Sequence, residues 1–372
     1  MKFNPAVKTD HLSLLAKIAT ASVQTQELSD RSPSKMTISF ETFRGSADHT
    51  IVKGTTTKPD LTGTQVHIKT THSGICGTDL HCTGMDMSLG HECVGTIAAI
   101  GPDVKTLKVG DRVGWGYVRK GCEHCSQCLQ GYNYYCLNGS DQYFKTSFDQ
   151  GSFGTGAVWD EGYVFKIPDA MASEDAAPLM CGGWTVWNAL SRYGVKSGDS
   201  VGVIGIGGLG HLAIQFAAKM GCEVTAFSTT EAKREEAMTL GAHHFVATKR
   251  ATELKVPRKI DHLLIETNAH PDLSLFLPIL SPRAAIYPQQ IPTGFPDWNI
   301  PFFPLLLQGV SIIFATTGPR HEISRMLEFA ALHGVKPVLE RFPLTKEGID
   351  TSIKRLEDGQ MRYRGVLVAE DA

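Results

Sequence analysis

The amino-acid sequence predicts an α/β fold in which a doubly wound parallel sheet is inserted into a β-rich domain. One observation is an apolar run over residues 201–204 that closes in the turn Gly205-Ile-Gly207-Gly208-Leu-Gly210. A second is the alternation of strand-like and helix-like segments across residues 173–334, which is typical of parallel sheets. A third is a series of short strands and turns across residues 36–172.

Length and composition limit the class of protein. The chain has 372 residues and a formal net charge of −2, so we expect two domains and no nucleic-acid partner. No apolar run approaches the roughly 18 residues that span a bilayer, so we expect no membrane partner. The nine cysteines, without a signal-peptide pattern, indicate a reducing compartment, and we expect a cytoplasmic protein.

Residues 1–35 differ from the rest of the chain and are predicted to form an N-terminal extension. Residues 11–25 have the pattern of a short amphipathic helix, and a polar run follows. A mitochondrial presequence is arginine-rich and poor in acids, whereas this segment has Arg31 as its only arginine and contains three acids. Mitochondrial import is therefore the less favoured alternative to a disordered or loosely docked extension.

Residues 36–172 are predicted to form the first domain, because their β-rich stretches are separated by Gly, Pro and Asp clusters. The candidate strands there lie near residues 37–43, 65–71, 93–100 and 111–115. Residues 173–334 are predicted to form the inserted domain with a doubly wound sheet. Its six candidate parallel strands lie near residues 200–205, 223–228, 243–247, 261–266, 284–287 and 310–314.

The last segment, residues 335–372, is predicted to return to the first domain. It has the pattern of two strands, at 335–342 and 365–368, around a helix at 346–356. Pro337 lacks a backbone N–H, so the first of these strands can only lie at the edge of a sheet.

The glycine-rich turn predicts a dinucleotide site. A strand precedes it and a helix-like stretch at residues 211–220 follows, so free N–H groups and the positive end of a helix dipole meet at the turn. This arrangement suits a pyrophosphate. The candidate residues are Gly205, Gly207, Gly208, Leu209 and Gly210.

The end of the second strand predicts NADP(H) as the dinucleotide. NAD-binding sheets usually carry an acid there, but this chain has Ser228 and Thr229, followed by Lys233 and Arg234. Hydroxyl groups and cations suit a 2′-phosphate through charge-assisted hydrogen bonds. The alternative, that the two cations are merely solvated helix charges, is disfavoured by the missing acid.

Four closely spaced cysteines predict a structural zinc site. Their spacing is Cys122-x-x-Cys125-x-x-Cys128-x7-Cys136. Four thiolates suit tetrahedral Zn²⁺ and leave no ligand position for water, so the site is expected to be structural. The alternative of unmetallated thiols would leave four reactive groups in one glycine-rich segment.

A second, scattered set predicts a catalytic zinc. Cys76, His91 and Cys181 are each unremarkable alone, but together they supply two thiolates and one imidazole. This is the ligand set of a catalytic zinc with an open fourth position. Asp79 is the candidate to hold the imidazole of His91 in its metal-binding tautomer.

These motifs resemble the zinc-dependent medium-chain alcohol dehydrogenases, in particular the NADP-linked cinnamyl alcohol dehydrogenase branch with its fungal members. The matching stretches cover nearly everything after Met36; they are residues 74–81, 89–92, 110–113, the four clustered cysteines, 176–186, 205–210, 233–238 and 358–364. The resemblance implies a GroES-like catalytic domain that carries two zinc ions, an inserted Rossmann domain and a homodimer.

The resemblance also implies roles for individual residues. It assigns the catalytic zinc to Cys76, His91 and Cys181. Glu92 lies beside them as an occasional alternative ligand. A proton relay runs, by resemblance, from the substrate oxygen through Thr78 and the nicotinamide ribose to His81, which exchanges with water.

Two departures from the family pattern concern the substrate. Gly77 stands where many members have histidine or arginine, and the segment 82–89, which helps to form the substrate pocket, is shorter than usual. The expected activity is hydride transfer between NADP(H) and a primary alcohol or aldehyde, aromatic (cinnamyl-like) or medium-length aliphatic. An NAD(P)-dependent polyol dehydrogenase of the same fold is the alternative. A non-catalytic, redox-sensing relative is disfavoured because no zinc ligand or relay residue is missing.

Overall fold

The computed structural model describes residues 37–292, 296–370 and 372, so the N-terminal extension and its predicted helix lie outside the described residues. The strands are β1 Ile38–Arg44, β2 Val52–Lys58, β3 Gln65–Ile75, β4 Cys93–Ile100, β5 Arg112–Trp115, β6 Val118–Lys120, β7 Asp141–Gln142, β8 Gly156–Asp160, β9 Phe165–Lys166, β10 Ser200–Ile204, β11 Glu223–Ser228, β12 His244–Ala247, β13 Ile260–Ile265, β14 Leu280–Pro288, β15 Ser311–Ile312, β16 Leu339–Pro343 and β17 Arg364–Val368.

The helices connect these strands. The α-helices are α1 Gly77–Cys82, α2 Ser126–Leu129, α3 Ser173–Ala176, α4 Gly182–Arg192, α5 Gly210–Lys219, α6 Arg234–Thr239, α7 Leu273–Phe276, α8 Phe302–Gln308, α9 His321–His333 and α10 Lys346–Glu357. Short 3₁₀ turns lie at Asn133–Tyr135, Glu161–Tyr163, Ala177–Met180, Glu231–Lys233 and Leu277–Ile279. No helix among the described residues combines the length and apolar character needed to cross a membrane.

The six predicted parallel strands form one parallel sheet with the order β12-β11-β10-β13-β14-β15. Strand β10 pairs with β11 on one side and with β13 on the other, so the strand order reverses beside β10. The predicted doubly wound sheet is therefore confirmed, and its ligand crevice lies outside the carboxyl ends of the strands at this reversal. Strand β15 is shorter than predicted, because the N–H of Val310 still bonds to the carbonyl of Leu305 at the end of α8.

Helices cover both faces of this sheet, and β10 is buried along its whole length as a result. On one face, Val201 and Val203 belong to a core with side chains of α4, α5 and α9. On the other face, Ile204 belongs to a second core with side chains of α7 and α8. The carboxyl end of β10, from which the glycine-rich turn projects, is thus fixed by packing from both sides.

The β-rich part of the chain forms a seven-stranded sheet with the order β16-β17-β3-β4-β5-β9, and β8 pairs with β3 as well. Strand β17 runs antiparallel to β3, so the carboxyl-terminal segment pairs with this sheet. The edge strand β16 begins at Leu339 rather than at residue 335, because the N–H of Val335 bonds to Ala330 at the end of α9 and Pro337 has no N–H. The exact domain limits at residues 172 and 334 stay predictions.

Candidate active site

Three separate segments bring the scattered ligand candidates together. Cys76 lies between β3 and α1 as the N-cap of that helix, His91 and Glu92 precede β4, and Cys181 is the N-cap of α4. One ligand atom from each of the four residues lies within 4.8 Å of the others. The sheet therefore assembles residues that are far apart in the sequence into a single cluster beside the inserted domain.

Asp79 organises this cluster. Its Oδ1 lies 3.0 Å from Nδ1 of His91 and accepts hydrogen bonds from the Tyr143 hydroxyl at 3.0 Å and the Gly90 N–H at 3.2 Å. Its Oδ2 accepts the N–H of Cys76 at 2.9 Å. Both Asp79 and His91 are fully buried. A buried carboxylate at Nδ1 requires a proton there, which leaves Nε2 with its lone pair.

The geometry of His91 fits a metal ligand. Nε2 is buried and has no hydrogen-bond partner among the described residues. Buried polar atoms are nearly always paired, so an orphaned imidazole nitrogen between two cysteine thiols is best satisfied by a metal ion. A hydrogen bond from Cys181 holds the pKa of the Cys76 thiol well below its usual value, and His91 acts in the same direction. This donor set fits zinc with one position left open.

Glu92 forms a buried ion pair with Arg364, the first residue of β17; both carboxylate oxygens accept from Nη2. Burial raises the pKa of Glu92 to about 7, against the opposing effect of Arg364. A Cβ on Gly74 would lie 2.0 Å from a carboxylate oxygen of Glu92, so only glycine leaves room for this pair. Arg364 also borders the glycine-rich turn, since a Cβ on Gly208 would lie 3.2 Å from its Cδ.

Sequence reasoning missed Arg364 and Tyr143 as members of the site. Arg364 lies 272 positions from Glu92, so no local spacing rule connects the two residues. The only sequence feature that pointed to Arg364 was its position at the end of residues 358–364, a stretch that matches the family pattern. Tyr143 carried no signal, because a tyrosine beside a glycine-rich segment is usually part of a core.

The two relay candidates lie on the short helix α1, directly after Cys76. The hydroxyl Oγ1 of Thr78 is 3.7 Å from Sγ of Cys76. His81 follows three positions later, which is the spacing of neighbours on one helix face, and it is half-buried. Gly77 is exposed, and a Cβ there would meet no described atom within 4 Å. The surface of α1 is therefore open at this residue.

The four clustered cysteines form a second compact ligand set. The sulfur atoms of Cys122, Cys125, Cys128 and Cys136 lie within 4.8 Å of one another. The N–H of Cys125 donates to Sγ of Cys122 at 3.4 Å, and the N–H of Cys122 donates to Sγ of Cys136 at 3.4 Å. Backbone N–H groups, foremost that of His124, lower the pKa of Cys122 to about 6. Thiolates stabilised in this way fit a closed, four-sulfur zinc site.

The predicted dinucleotide turn has the backbone that a pyrophosphate requires. Gly205 has a φ of +91°, and a Cβ there would lie 2.6 Å from Thr267. A Cβ on Gly210 would lie 1.8 Å from the carbonyl oxygen of Gly205, so the turn can close only with glycine at both positions. Gly207 faces open space among the described residues, and Leu209 precedes the first residue of α5. The turn is therefore tight and accessible at the helix N-terminus.

The two cations after β11 have different surroundings. Lys233 donates from Nζ to the carbonyl of Ile206 in the glycine-rich turn at 2.6 Å and lies 4.6 Å over the ring of Tyr363. Arg234 instead pairs with Glu231 at 2.6 Å and lies over the ring of Phe245. Ser228 ends β11 and is half-buried, and Thr229 beside it is exposed. Of the four candidates, Lys233 alone contacts the turn directly within the described residues.

A cluster of two cysteines and one histidine beside a dinucleotide-type turn, with a separate four-cysteine cluster, defines a zinc-binding dehydrogenase. Comparison with known families agrees: the Alcohol dehydrogenase GroES-like domain matches residues 62–169, and the Zinc-binding dehydrogenase family matches residues 208–331. The chain belongs to the zinc-dependent medium-chain alcohol dehydrogenase family, as the motifs predicted.

Individual relatives support this membership. An aldehyde reductase of Synechocystis sp. is 35% identical over 315 residues, which cover 82% of this chain and 92% of the relative. An NADP-dependent alcohol dehydrogenase of Mycolicibacterium smegmatis is 32% identical over 87% of this chain and 95% of its own length. The solved structure of a cinnamyl alcohol dehydrogenase from Sorghum bicolor superposes with a TM-score of 0.79 at 29% identity, covering 89% of this chain and 98% of that one.

Proposed function

We propose that the protein is an NADP(H)- and zinc-dependent aldehyde reductase that acts on aromatic or medium-length aliphatic aldehydes. The observation that carries the proposal is the orphaned Nε2 of buried His91 between Cys76 and Cys181. The names of the relatives, an aldehyde reductase and an NADP-dependent alcohol dehydrogenase, support the same substrate class and cofactor.

Zinc held by Cys76, His91 and Cys181 supplies a Lewis acid for the carbonyl oxygen, and the reduced nicotinamide supplies the hydride. The chain's own residues orient these groups. Asp79 fixes the tautomer of His91 and, through its other oxygen, the backbone of Cys76. Arg364 keeps the carboxylate of Glu92 paired in the ground state, so Glu92 serves as an alternative ligand only after that ion pair opens.

In this scheme the proton would pass from Thr78 to His81, both on α1, by way of the nicotinamide ribose. Thr78 lies next to Cys76, and its hydroxyl can donate and accept at the same time. His81 lies further along the same helix and delivers the proton to solvent. Thr78 is the inner relay residue and His81 the outer one.

The cofactor site in this proposal is the glycine-rich turn with Ser228, Thr229, Lys233 and Arg234. The turn residues Gly205, Gly207, Gly208, Leu209 and Gly210 receive the pyrophosphate. Lys233 already stands at the turn, and Arg364 adds positive charge beside Gly208. Arg234 would have to exchange Glu231 for the 2′-phosphate, which is feasible because the exposed ion pair is weak. The four clustered cysteines hold a second, structural zinc.

A second copy of the chain is the proposed partner of an exposed apolar face. The face comprises Phe302, Phe303, Leu306 and Leu307 of α8 together with Phe314, each 60% to 71% exposed. The adjoining β15 is an edge strand with no described partner on its outer side, and open edges and apolar patches are typical of oligomer contacts. We expect Leu307→Asp to give a monomer in light scattering, whereas Leu332→Asp, at an exposed leucine elsewhere, leaves the homodimer intact.

The proposed location is the cytoplasm. All nine cysteines are free thiols, and six of them belong to the two proposed metal sites, which need reduced sulfur. We expect the protein to fractionate with the cytosol rather than with mitochondria; recovery in the mitochondrial matrix would overturn the proposal.

The function is tested by following NADPH and NADH consumption with a panel of aldehydes, ketones and sugars, together with the metal content. We expect turnover of aldehydes with NADPH and about two zinc ions per chain. Turnover of sugars or polyols with NADH alone would favour the polyol dehydrogenase. Tight NADPH binding without turnover of any substrate would favour the redox-sensing relative.

A further inference from the structure

Arg320 is one of the residues through which the inserted domain contacts the four-cysteine lobe, residues 122–136; a hydrogen bond between the hydroxyls of Tyr135 and Thr316 at 2.9 Å is another such contact. Arg320 donates its backbone N–H to the carbonyl of Gly131 at 3.0 Å and pairs through Nη2 with Oε2 of Glu123 at 2.8 Å. Its Nη1 donates to the carbonyl of Gly162 at 3.3 Å, and the guanidinium lies 4.9 Å over the ring of Tyr163. One side chain from the start of α9 therefore contacts the lobe and the neighbouring 3₁₀ turn at once.

Glu123 depends on the lobe for its position. It lies between the ligand candidates Cys122 and Cys125 and has a φ of +66°, which is uncommon for a residue with a side chain. Besides Arg320, its carboxylate accepts hydrogen bonds from the Tyr163 hydroxyl and from Nδ2 of Asn133. Such a backbone persists only where the surroundings determine it. Closure of the four-sulfur cluster supplies that constraint.

The segment that carries Arg320 reaches the active site from the other side. It follows β15 at the carboxyl edge of the parallel sheet, where the carbonyl of Ala315 accepts from Gln289 at 3.0 Å. Gly318 and Arg320 line a small cavity of about 10 Å³ together with Tyr117 and Trp184. The ring of Tyr117 lies 5.7 Å from that of His91. The segment thus lies between the four-cysteine lobe and the catalytic metal ligands.

We propose that Arg320 is a positioning residue that couples metal binding in the four-cysteine lobe to binding of the dinucleotide in the cleft. The inference rests on the proposed function, because it takes the lobe as a zinc site and the glycine-rich turn as the NADPH site. When the lobe is closed, Glu123 and Gly131 hold Arg320, and Arg320 holds residues 315–318 against the cleft. When the lobe opens, this segment loses the contacts of Arg320 with Glu123 and Gly131, and the cleft loses a fixed boundary.

A purely structural role predicts a different result. A half-exposed ion pair contributes little stability by itself, so loss of Arg320 would then lower the melting temperature slightly and leave ligand affinity unchanged. Coupling predicts instead that ligand affinity changes while the fold persists. A measurement of NADPH affinity, rather than of activity, therefore distinguishes a structural role of Arg320 from a coupling role.

The first experiment measures NADPH affinity by quenching of tryptophan fluorescence in the purified holoenzyme. We expect Arg320→Ala to weaken NADPH binding about tenfold with the zinc content unchanged, which is within the usual range of coupling between sites. Arg320→Lys keeps the ion pair but loses the planar donor fork and the ring contact, so it should recover only part of the affinity. Arg325→Ala is the control, because Arg325 lies on the same helix and its ion pair among the described residues is with Glu322.

The second experiment tests the reciprocal effect, since coupling between two sites must act in both directions. Alkylation of Cys122, Cys125, Cys128 and Cys136 is followed by mass spectrometry with and without saturating NADPH. We expect NADPH to slow labelling of these cysteines about fivefold in the wild type and in Arg325→Ala, and to have no effect in Arg320→Ala.

The outcomes separate this inference from the proposed function. Equal protection by NADPH in the wild type and Arg320→Ala, or an unchanged NADPH affinity in Arg320→Ala, would overturn the coupling while leaving the enzyme's function intact. A wild type that binds no NADPH in the fluorescence titration, or that contains no metal in the lobe, would instead overturn the proposed function itself.

Discussion

Nδ1 of His91 lies 3.0 Å from Oδ1 of Asp79, and neither side chain is exposed to solvent. The same carboxylate receives the hydroxyl of Tyr143 and two backbone N–H groups, so its charge is compensated by donors on every side. A carboxylate on the far nitrogen of a ligand histidine fixes its tautomer and increases its basicity. Asp79 is therefore expected to control the metal affinity of a site it does not itself contact.

Asp79→Asn tests this control, because it keeps the size of the side chain and removes its charge. We expect the affinity for the catalytic zinc to fall about 10- to 100-fold, as is usual when such partners are changed. Zinc retention during dialysis against a chelator is the measurement, and the four-cysteine zinc should be retained. Asp86→Asn is the control, since Asp86 is an exposed residue of the same region. Identical zinc loss from the two variants would contradict the role of Asp79.

Cys181→Ser and Cys125→Ser should separate the two metal sites. Cys181→Ser removes a ligand of the open site, so zinc content should fall from about two to one per chain and activity should be largely lost. Cys125→Ser should instead lower the unfolding temperature, because binding energy at a structural zinc is coupled to folding. Metal analysis and thermal unfolding of both variants check the assignment. Full zinc and full turnover in Cys181→Ser would exclude that residue as a ligand.

The sequence was sufficient for features that depend on local spacing. The turn after β10, the four cysteines and the six parallel strands each have a periodicity or spacing that can be recognised within a short window. The scattered set, Cys76, His91 and Cys181, has the ligand chemistry of a catalytic zinc, and the resemblance to the family selected these three residues among the cysteines and histidines of the chain.

Contacts between distant segments could not be predicted in this way. Arg364 reaches Glu92 only because β17 pairs with β3, and Arg320 reaches Glu123 only because the inserted domain packs on the four-cysteine lobe. Neither pair has a spacing that a pattern could detect. Lys233 and Arg234 are adjacent in sequence, yet only Lys233 faces the glycine-rich turn, because Glu231 and Phe245 hold Arg234 on the other side.

His211 is expected to make the fold sensitive to acid. Its Nδ1 donates to the carbonyl of Gly207 at 2.8 Å, while its Nε2 accepts the N–H of Val338 at 3.1 Å, and this second bond requires the neutral ring. Burial lowers the pKa of His211 to about 3. The native state therefore binds fewer protons than the unfolded state, and stability is lost as the pH falls below about 6.5.

The size of this effect follows from the two pKa values. Because His211 stays neutral in the folded protein, the free energy of unfolding should be about 2 kcal/mol lower at pH 5 than at pH 7. His211→Gln can donate and accept in the same way without titrating, so its stability should fall less over this range. Urea unfolding at pH 7 and pH 5 measures the difference. Equal acid sensitivity of the wild type and His211→Gln would show that other groups cause it.

Ser228→Asp tests the choice of cofactor. An acid at the end of β11 accepts hydrogen bonds from a ribose 2′-OH and repels a 2′-phosphate, so preference should shift from NADPH towards NADH. The ratio of kcat/KM for the two cofactors is the measurement. Thr106→Asp, at an exposed threonine outside the cleft, should leave the ratio unchanged. If the wild type already preferred NADH, the proposed 2′-phosphate site would be contradicted; its residues are Ser228, Thr229, Lys233 and Arg234.

The order of the proton relay is tested by changing its two residues separately. Thr78 is half-buried, and its hydroxyl stands 3.7 Å from the sulfur of Cys76, at the substrate end of the proposed relay. Thr78→Ala should therefore lower kcat on the order of 10²-fold or more, the usual range for a positioned proton transfer. Thr78→Ser keeps the hydroxyl and should restore most of the rate.

His81 is the proposed outer end of the relay, where the proton is exchanged with solvent, so water and buffer can partly take its place. His81→Ala should cost less than Thr78→Ala, and its kcat should rise with the concentration of a small imidazole-type buffer, because an outer relay group exchanges protons with solvent. Zinc content should remain at about two per chain in both variants, since neither residue is a proposed ligand. The measurement is kcat against pH and buffer concentration. Near-normal turnover in Thr78→Ala, with no turnover in His81→Ala at any pH, would reverse the order of the relay.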